Sequence, residues 1–298
     1  MVKKDAGQRI RKRKPLSIAD VVIYGVFIVL AAVTLIPFMN IVAISLSDYG
    51  AVVTNKAMIF PEGLNFDAYY IIGDPAVLKS FLLTIMIVVA STVLHLLVCL
   101  LTAYPLSKKD LPGRNIMLMF LLITMLFGGG LIPYYLVIKD LGLIDNVLVH
   151  IVPGLVSGFN IILMKNFIQQ IPSSLIEAAR IDGAGFFRVL FQIIAPLSKP
   201  ILATLALFFG VGKWNEWYTT VLFINDPDLY PIQNILRQMV VEGNMDTVGS
   251  GIVSRPEFTL SISIKMAVIV IATVPIMLVY PFLQKHFVKG IFMGSVKS

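Results

Sequence analysis

The chain has 298 residues, of which 57% are hydrophobic and only 14% charged, and its mean hydropathy is +0.87. Soluble domains carry nearer a quarter charged residues, so this composition excludes a soluble enzyme or binding module and points to one polytopic membrane domain. The formal charge of +7 does not mark a nucleic-acid binder, because the basic residues flank apolar runs in the positive-inside pattern and no soluble domain is left to bind nucleic acid. The single cysteine, Cys99, lies in an apolar run and offers neither a disulfide framework nor a thiol metal site.

Residues 1–17 form a basic tail. It reads as a topology anchor that holds the N-terminus in the cytoplasm, with attraction to lipid headgroups as the other reading. The first predicted span runs from about Ile18 to Leu46. It is too long for a signal peptide and lacks a small-residue cleavage site, so it is expected to remain as a span. Residues 47–79 then read as an outside loop, acidic and cut into short pieces by Pro61, Gly63, Gly73 and Pro75.

The second span is expected at about Ser80 to Tyr104 and contains His95. A membrane histidine can relay protons, but no second acidic or basic residue lies near it in its span, which favours a hydrogen-bonded packing role. PLSKKDLPGR (105–114) is short, basic and therefore inside. The third span, about Asn115 to Ile138, contains Gly128-Gly129-Gly130 and Pro133. These glycines lack the strand–turn–helix setting and lysine of a phosphate loop. A hinge, a broken helix or close helix packing remain open for them. The fourth span, about Val147 to Phe167, includes Pro153, Gly154 and Asn160, and Asn160 either lines a cavity or bonds another helix.

The fifth span is placed at about Ile193 to Phe223 and ends in a polar, aromatic cluster: Lys213, Trp214, Asn215, Glu216, Trp217 and Tyr218. On a continuous helix Trp214 and Trp217 would lie on neighbouring faces, and Lys213 and Glu216 would neutralise each other. Sugar contact and an interfacial aromatic belt both fit this cluster. Asn160 and the Tyr134–Tyr135 pair are weaker candidates for a substrate pathway. A long outside loop with a short helix at 232–241 leads to a sixth span at about Ser261 to Leu283. Six spans with both termini in the cytoplasm satisfy the charge bias at every loop.

The segment EAARIDGAGFFRVLFQIIAPLSKP (177–200) lies between two apolar runs without itself reading as membrane. Pro172-Ser173-Ser174 reads as a helix start with a serine cap. Apolar residues then recur at near-helical spacing, and Gly183 interrupts them, giving two short helices joined at Gly183. On periodicity alone, an amphipathic helix on the membrane surface fits as well as a docking element.

Glu177-Ala178-Ala179, three residues, Gly183, nine residues, then Ile193 and Pro196 resembles the EAA signature of ABC importer permeases. Ala195 stands where that signature usually has leucine. ARIDGAG, APLSKP and WNEW resemble the carbohydrate-uptake, maltose-type branch, and the tail KGIFMGSVK resembles permeases for complex oligosaccharides. The resemblance implies an all-α transmembrane bundle of six spans with the type I ABC importer permease architecture. It divides the chain into a basic tail (1–17), a first span and extracellular loop (18–79), a permease core (80–285) with the coupling helix at 172–190, and a cytoplasmic tail (286–298).

It also implies that Glu177, Ala178, Ala179, Asp182 and Gly183 dock on a dimeric cytoplasmic ATPase. Further partners would be a second homologous permease subunit, an extracellular sugar-binding protein and membrane lipid, in a bacterial cytoplasmic membrane. No GxxxxGK[ST] loop is present, so ATP and Mg²⁺ are expected in the partner ATPase and no cofactor in this chain. The alternatives are a permease for another ABC import substrate, a proton-coupled secondary transporter and an intramembrane enzyme. The last two would need more buried titratable groups, or catalytic groups paired at one depth.

Overall fold

The computed structural model describes residues 17–54, 56, 59–242 and 262–295, and all the regular elements among them are helical. In lipid every backbone N–H and C=O must be satisfied within its own segment, which is why the apolar runs become helices. Three are long and continuous: α1 (Ile18–Ser45), α2 (Pro75–Ser107) and the last helix, which runs from Ile262 to Ser295 and is apolar enough to cross over Ile262–Val279. At 1.5 Å per residue, the 28 residues of α1 measure about 42 Å, enough to cross a hydrocarbon core of about 30 Å with tilt.

α2 begins five residues before its predicted start. Pro75, read from the sequence as a loop breaker, is instead its first residue, where a missing N–H costs nothing. Asp74 caps it, its Oδ1 accepting from the N–H groups of Ala76 (2.8 Å) and Val77 (3.4 Å).

The other three predicted spans are bent. The third divides into α3 (Arg114–Leu126) and α4 (Leu131–Asp140), set at 115° across the glycine run, where Gly130 has φ +85°. Of the three readings left open for these glycines, the broken helix is the one found. The fourth divides at residues 155–157 with a bend of 50°, into a short Leu148–Gly154 piece and α5 (Gly158–Ile168). The fifth is not one span from Ile193 to Phe223. Phe186–Leu197 meets α8 (Lys199–Trp214) at 78°, and a separate short helix, α9 (Tyr218–Phe223), follows. Prolines explain the first break: Pro200 has no N–H to donate backward and its ring clashes with the preceding turn, so the helix restarts after Ser198. The short helix expected at 232–241 is present as α10 (Ile232–Arg237), continued by one wide π turn to Glu242. The rest of that outside loop, 243–261, lies outside the described residues, as does nearly all of the N-terminal tail.

Two ends of the bundle can be told apart from contacts along α2. At its start, Lys79 pairs with Asp228 at 2.9 Å, and Thr84 Oγ1 accepts from the Ile232 N–H at 2.9 Å. Asp145 at this same end ties the loop after α4 to Asn225 and Asp226. At the other end, Leu106 O accepts from Arg114 Nε (2.9 Å) and Ser107 O accepts from Gln169 Nε2 (3.0 Å). The bent pair α3–α4 therefore still connects one end to the other. Each end has its own apolar core. Leu100, Tyr104, Ile161, Met164, Leu190 and Leu205 are buried together near the Ser107 end, and Ile71, Val77, Trp214, Ile235 and Val268 near the Lys79 end. Most of α1, from Ile18 to Ile36, is apolar and exposed, the surface expected where lipid or another subunit covers it.

Candidate functional site

Two features stand out. The first is an exposed elbow at the Ser107 end. The 172–190 segment forms α6 (Ser173–Ile181) and α7 (Phe186–Val189), joined at Gly183 as the spacing predicted. The start differs from expectation: Pro172 occupies the cap position and no serine side chain caps the helix. Its C-terminus is closed by backbone alone. Gly183 N–H donates to Arg180 O at 3.0 Å and Ala184 N–H to Ala179 O at 2.9 Å, the Schellman pairing, with Gly183 in the left-handed region at φ +77°. Ile176, Ala179 and Ala184 pack on the bundle, whereas Glu177, Ala178, Arg180, Ile181, Asp182 and Gly183 face outward. A Cβ added at Gly183 would meet no atom within 4 Å, so space within this subunit does not require the glycine.

Behind the elbow, Phe186 packs on the end of α2, its ring 5.0 Å from that of Tyr104. The Lys108 ammonium lies over both rings, at 4.5 Å from Tyr104 and 5.6 Å from Phe186. Burial lowers the Lys108 pKa, the nearby Arg180 guanidinium lowers it further, and Asp110 opposes the shift. Val189, Leu190 and Ile194 then enter the buried core through a π turn spanning Leu190–Ile194. Wide turns of this kind recur at functional sites. The elbow is thus joined to α2 and α5 by packing, and to α8 by the chain itself.

The second feature is a cavity of about 530 Å³ between α5 and α8, lined by Phe159, Asn160, Phe208, Phe209, Gly212, Lys213 and Glu216. Lys213 Nζ bonds Glu216 Oε2 at 2.7 Å, the mutual neutralisation expected from their spacing, and the Thr219 hydroxyl donates to Glu216 Oε1. Asn160 Nδ2 donates to His95 Nε2 at 2.8 Å, while His95 Nδ1–H donates to Leu155 O at 2.8 Å. A carbonyl can only accept, so the proton sits on Nδ1 and the ring is neutral. The His95 ring also stacks on Phe209 with centroids 3.9 Å apart. His95 therefore packs and bonds, as expected, and in doing so orients two residues of the cavity wall. Asn160 meets both of its proposed descriptions at once.

The other pathway candidates lie elsewhere. α8 ends at Trp214, so Trp214 and Trp217 do not share one helix. Trp214 is buried among Ile235, Ala267 and Val268, and its Nε1–H donates to Ala272 O at 2.8 Å, which makes it a packing residue of this subunit. Asn215 Nδ2 donates back to Val211 O at 2.9 Å. Trp217 and Tyr218 are exposed and meet edge to face, with the Arg237 guanidinium 4.9 Å over the Trp217 ring. Tyr135 stacks on Phe223. The sequence reading missed Phe159, Phe208 and Phe209, because isolated phenylalanines in apolar runs carry no signal until the breaks at 155–157 and 198 turn them toward one space.

Comparison with known proteins identifies the family. Residues 12–293 match the family described as binding-protein-dependent transport system inner membrane component. The chain belongs to this family. It is accordingly a membrane-embedded, non-catalytic permease subunit of a transport system. It is 43% identical over 285 residues to the polygalacturonan/rhamnogalacturonan transport system permease protein YtcP of Bacillus subtilis (strain 168), covering 94% of this chain and 98% of that one. It is 26% identical to the melibiose/raffinose/stachyose import permease protein MelC of the same strain, over 91% of this chain and 94% of that protein. The fold matches one chain in the crystal structure of a bacterial ABC transporter involved in import of the acidic polysaccharide alginate. That match has a TM-score of 0.83 and 31% identity, and covers 92% of this chain and 100% of the other. The all-α permease architecture expected from the EAA resemblance is thereby established.

Proposed function

We propose that this chain forms half of the translocation pathway of an ATP-driven oligosaccharide importer in a bacterial cytoplasmic membrane, with both termini in the cytoplasm. It works beside a second homologous permease subunit. An extracellular sugar-binding protein delivers substrate at the Lys79 end. A dimeric cytoplasmic ATPase, which binds ATP and Mg²⁺, docks at the Ser107 end on the outward-facing Glu177, Ala178, Asp182 and Gly183, while Ala179, expected among the docking residues, packs the helix on the bundle beneath them. The observation that carries this reading is the exposed, backbone-capped elbow at Gly183, rooted in the same packed core as both walls of the cavity. Support for the substrate class comes from the oligosaccharide and polysaccharide substrates named for the relatives, and from a cavity that pairs phenyl faces with an amide and an ion pair. Sugars offer such a wall apolar C–H faces and hydroxyl groups.

Closure of the ATPase dimer would move the elbow. Phe186 and the buried run to Ile194 would carry that motion to α2 and α5, and Ser198 would pass it to α8. Since α5 and α8 are the cavity walls, one displacement changes which end of the cavity is open. The test is reconstitution of the full transporter in proteoliposomes. Glu177→Lys should abolish substrate-stimulated ATP hydrolysis while the subunit still inserts and assembles. Normal stimulated hydrolysis in that variant defeats the coupling assignment.

A further inference from the structure

The space between α5 and α8 contains a half-buried ammonium that is paired with Glu216 and still has donors to spare. Lys213 is only 12% exposed at its side chain, and its stem crosses Gly154 so closely that a Cβ there would lie 3.1 Å from Lys213 Cε and 3.3 Å from Nζ. A side chain at 154 would crowd the end of the lysine. Among the described residues the ammonium bonds only Glu216, and two of its three N–H donors remain for another acceptor at the cavity. Glu216 is held back by its second bond, from the Thr219 hydroxyl. Around this ammonium the wall is phenyl (Phe159, Phe208, Phe209) with one amide, Asn160, fixed by His95.

A neutral sugar can use the phenyl faces, the amide and, through its hydroxyl oxygens, the half-buried ammonium. A sugar carboxylate makes charge-assisted bonds to that ammonium that are about twice as strong. Its two oxygens can take the two remaining Lys213 donors while the pyranose faces rest on the phenylalanines. Glu216 would then sit one bond further out, on the far side of the ammonium, and its repulsion would keep the carboxylate's attachment loose. A pathway site that must release its cargo needs such looseness.

We propose that Lys213, positioned by Gly154 and tempered by Glu216, is the group through which this subunit favours acidic oligosaccharides, those bearing uronate carboxylates, over neutral ones. The inference rests on the oligosaccharide-import reading above.

The test uses the complete reconstituted transporter with its binding protein unchanged. Uptake of an oligogalacturonate trisaccharide is compared with uptake of its carboxyl-reduced neutral counterpart. The readout is the acid-to-neutral ratio, so a general loss of transporter cancels. Lys213→Gln should lower this ratio at least about tenfold, the low end for losing a charge-assisted hydrogen bond. Glu216→Gln, which keeps an acceptor for Thr219, should raise it. Gly154→Val, which displaces the lysine without deleting it, should lower it. A ratio unmoved by Lys213→Gln, or lowered by Glu216→Gln, overturns the assignment of Lys213 and leaves the oligosaccharide reading standing. Wild-type uptake of the neutral sugar alone does the same. Uptake of neither sugar overturns both.

Discussion

Gly183 allows two contributions to be separated, the strain of an L-residue in the left-handed region and the space a docked partner leaves. Placing an L-residue at φ +77° costs about 1–2 kcal/mol, and less for asparagine or aspartate, which visit this region more readily. Within this subunit there is no steric addition, since nothing lies within 4 Å of the missing Cβ. Gly183→Ala should therefore lower the population of the closed Schellman elbow by a factor of about 5–30, and coupled ATP hydrolysis by no more than that. Gly183→Asn, with less strain but a larger side chain, should be near wild type if the face stays open to water, and inactive if a partner seats against it. Gly183→Asp adds a charge to the same face and should abolish coupling. The assay is substrate-stimulated ATPase activity of the reconstituted transporter, with assembly checked by co-purification of all subunits. Full activity of both the Asn and Asp variants would refute close docking at Gly183, and a Gly183→Ala loss far beyond thirtyfold would show that strain alone does not account for the glycine.

Two other changes probe the scaffold. Trp214→Phe removes the hydrogen bond to Ala272 O, a carbonyl inside the last helix, at an expected cost of about 0.5–1.5 kcal/mol, seen as a lower melting temperature in detergent with substrate preference retained. A shifted preference with unchanged stability would return Trp214 to the pathway. At the same end, hydrogen bonds from Asn225 and the Asp226 N–H hold the Asp145 carboxyl below the usual aspartate range. A lowered pKa means that the clasp contributes fully above the ordinary aspartate value of about 3.9 and is lost only as pH falls through the lowered one. Proteolysis of the 223–231 segment should thus be flat between about pH 5 and 8, and should quicken in Asp145→Ala throughout that range.

What could be read in advance followed from local rules. Apolar length marked the spans, and Gly183 marked the elbow because a left-handed cap after Asp182 calls for glycine. Asp74-Pro75 was equally legible as an N-cap followed by a first-turn proline, and it passed as a loop because proline was treated only as a breaker. The angles were beyond reach. Nothing in Gly128–Gly130 or in Pro196 and Pro200 distinguishes a gentle kink from bends of 115° and 78°, since the final direction is set by what each half packs on. The cavity wall depends on those angles, which is why its ion pair was anticipated from spacing but its three phenylalanines were not.

The brevity of α8 has a consequence for the bilayer. Its 16 residues rise about 24 Å, so a helix starting at the inner boundary of the hydrocarbon stops about 6 Å short of the outer one. Lys213 and Glu216 then lie beneath the level of the outer headgroups, at a depth where exposed charge would thin the membrane or draw it inward. Paired with each other and braced by Thr219, these charges instead form a polar rim on a groove whose phenyl wall, Phe208 and Phe209, lies about one turn deeper. Under the proposed function, that rim is where a hydrated sugar would first meet the groove.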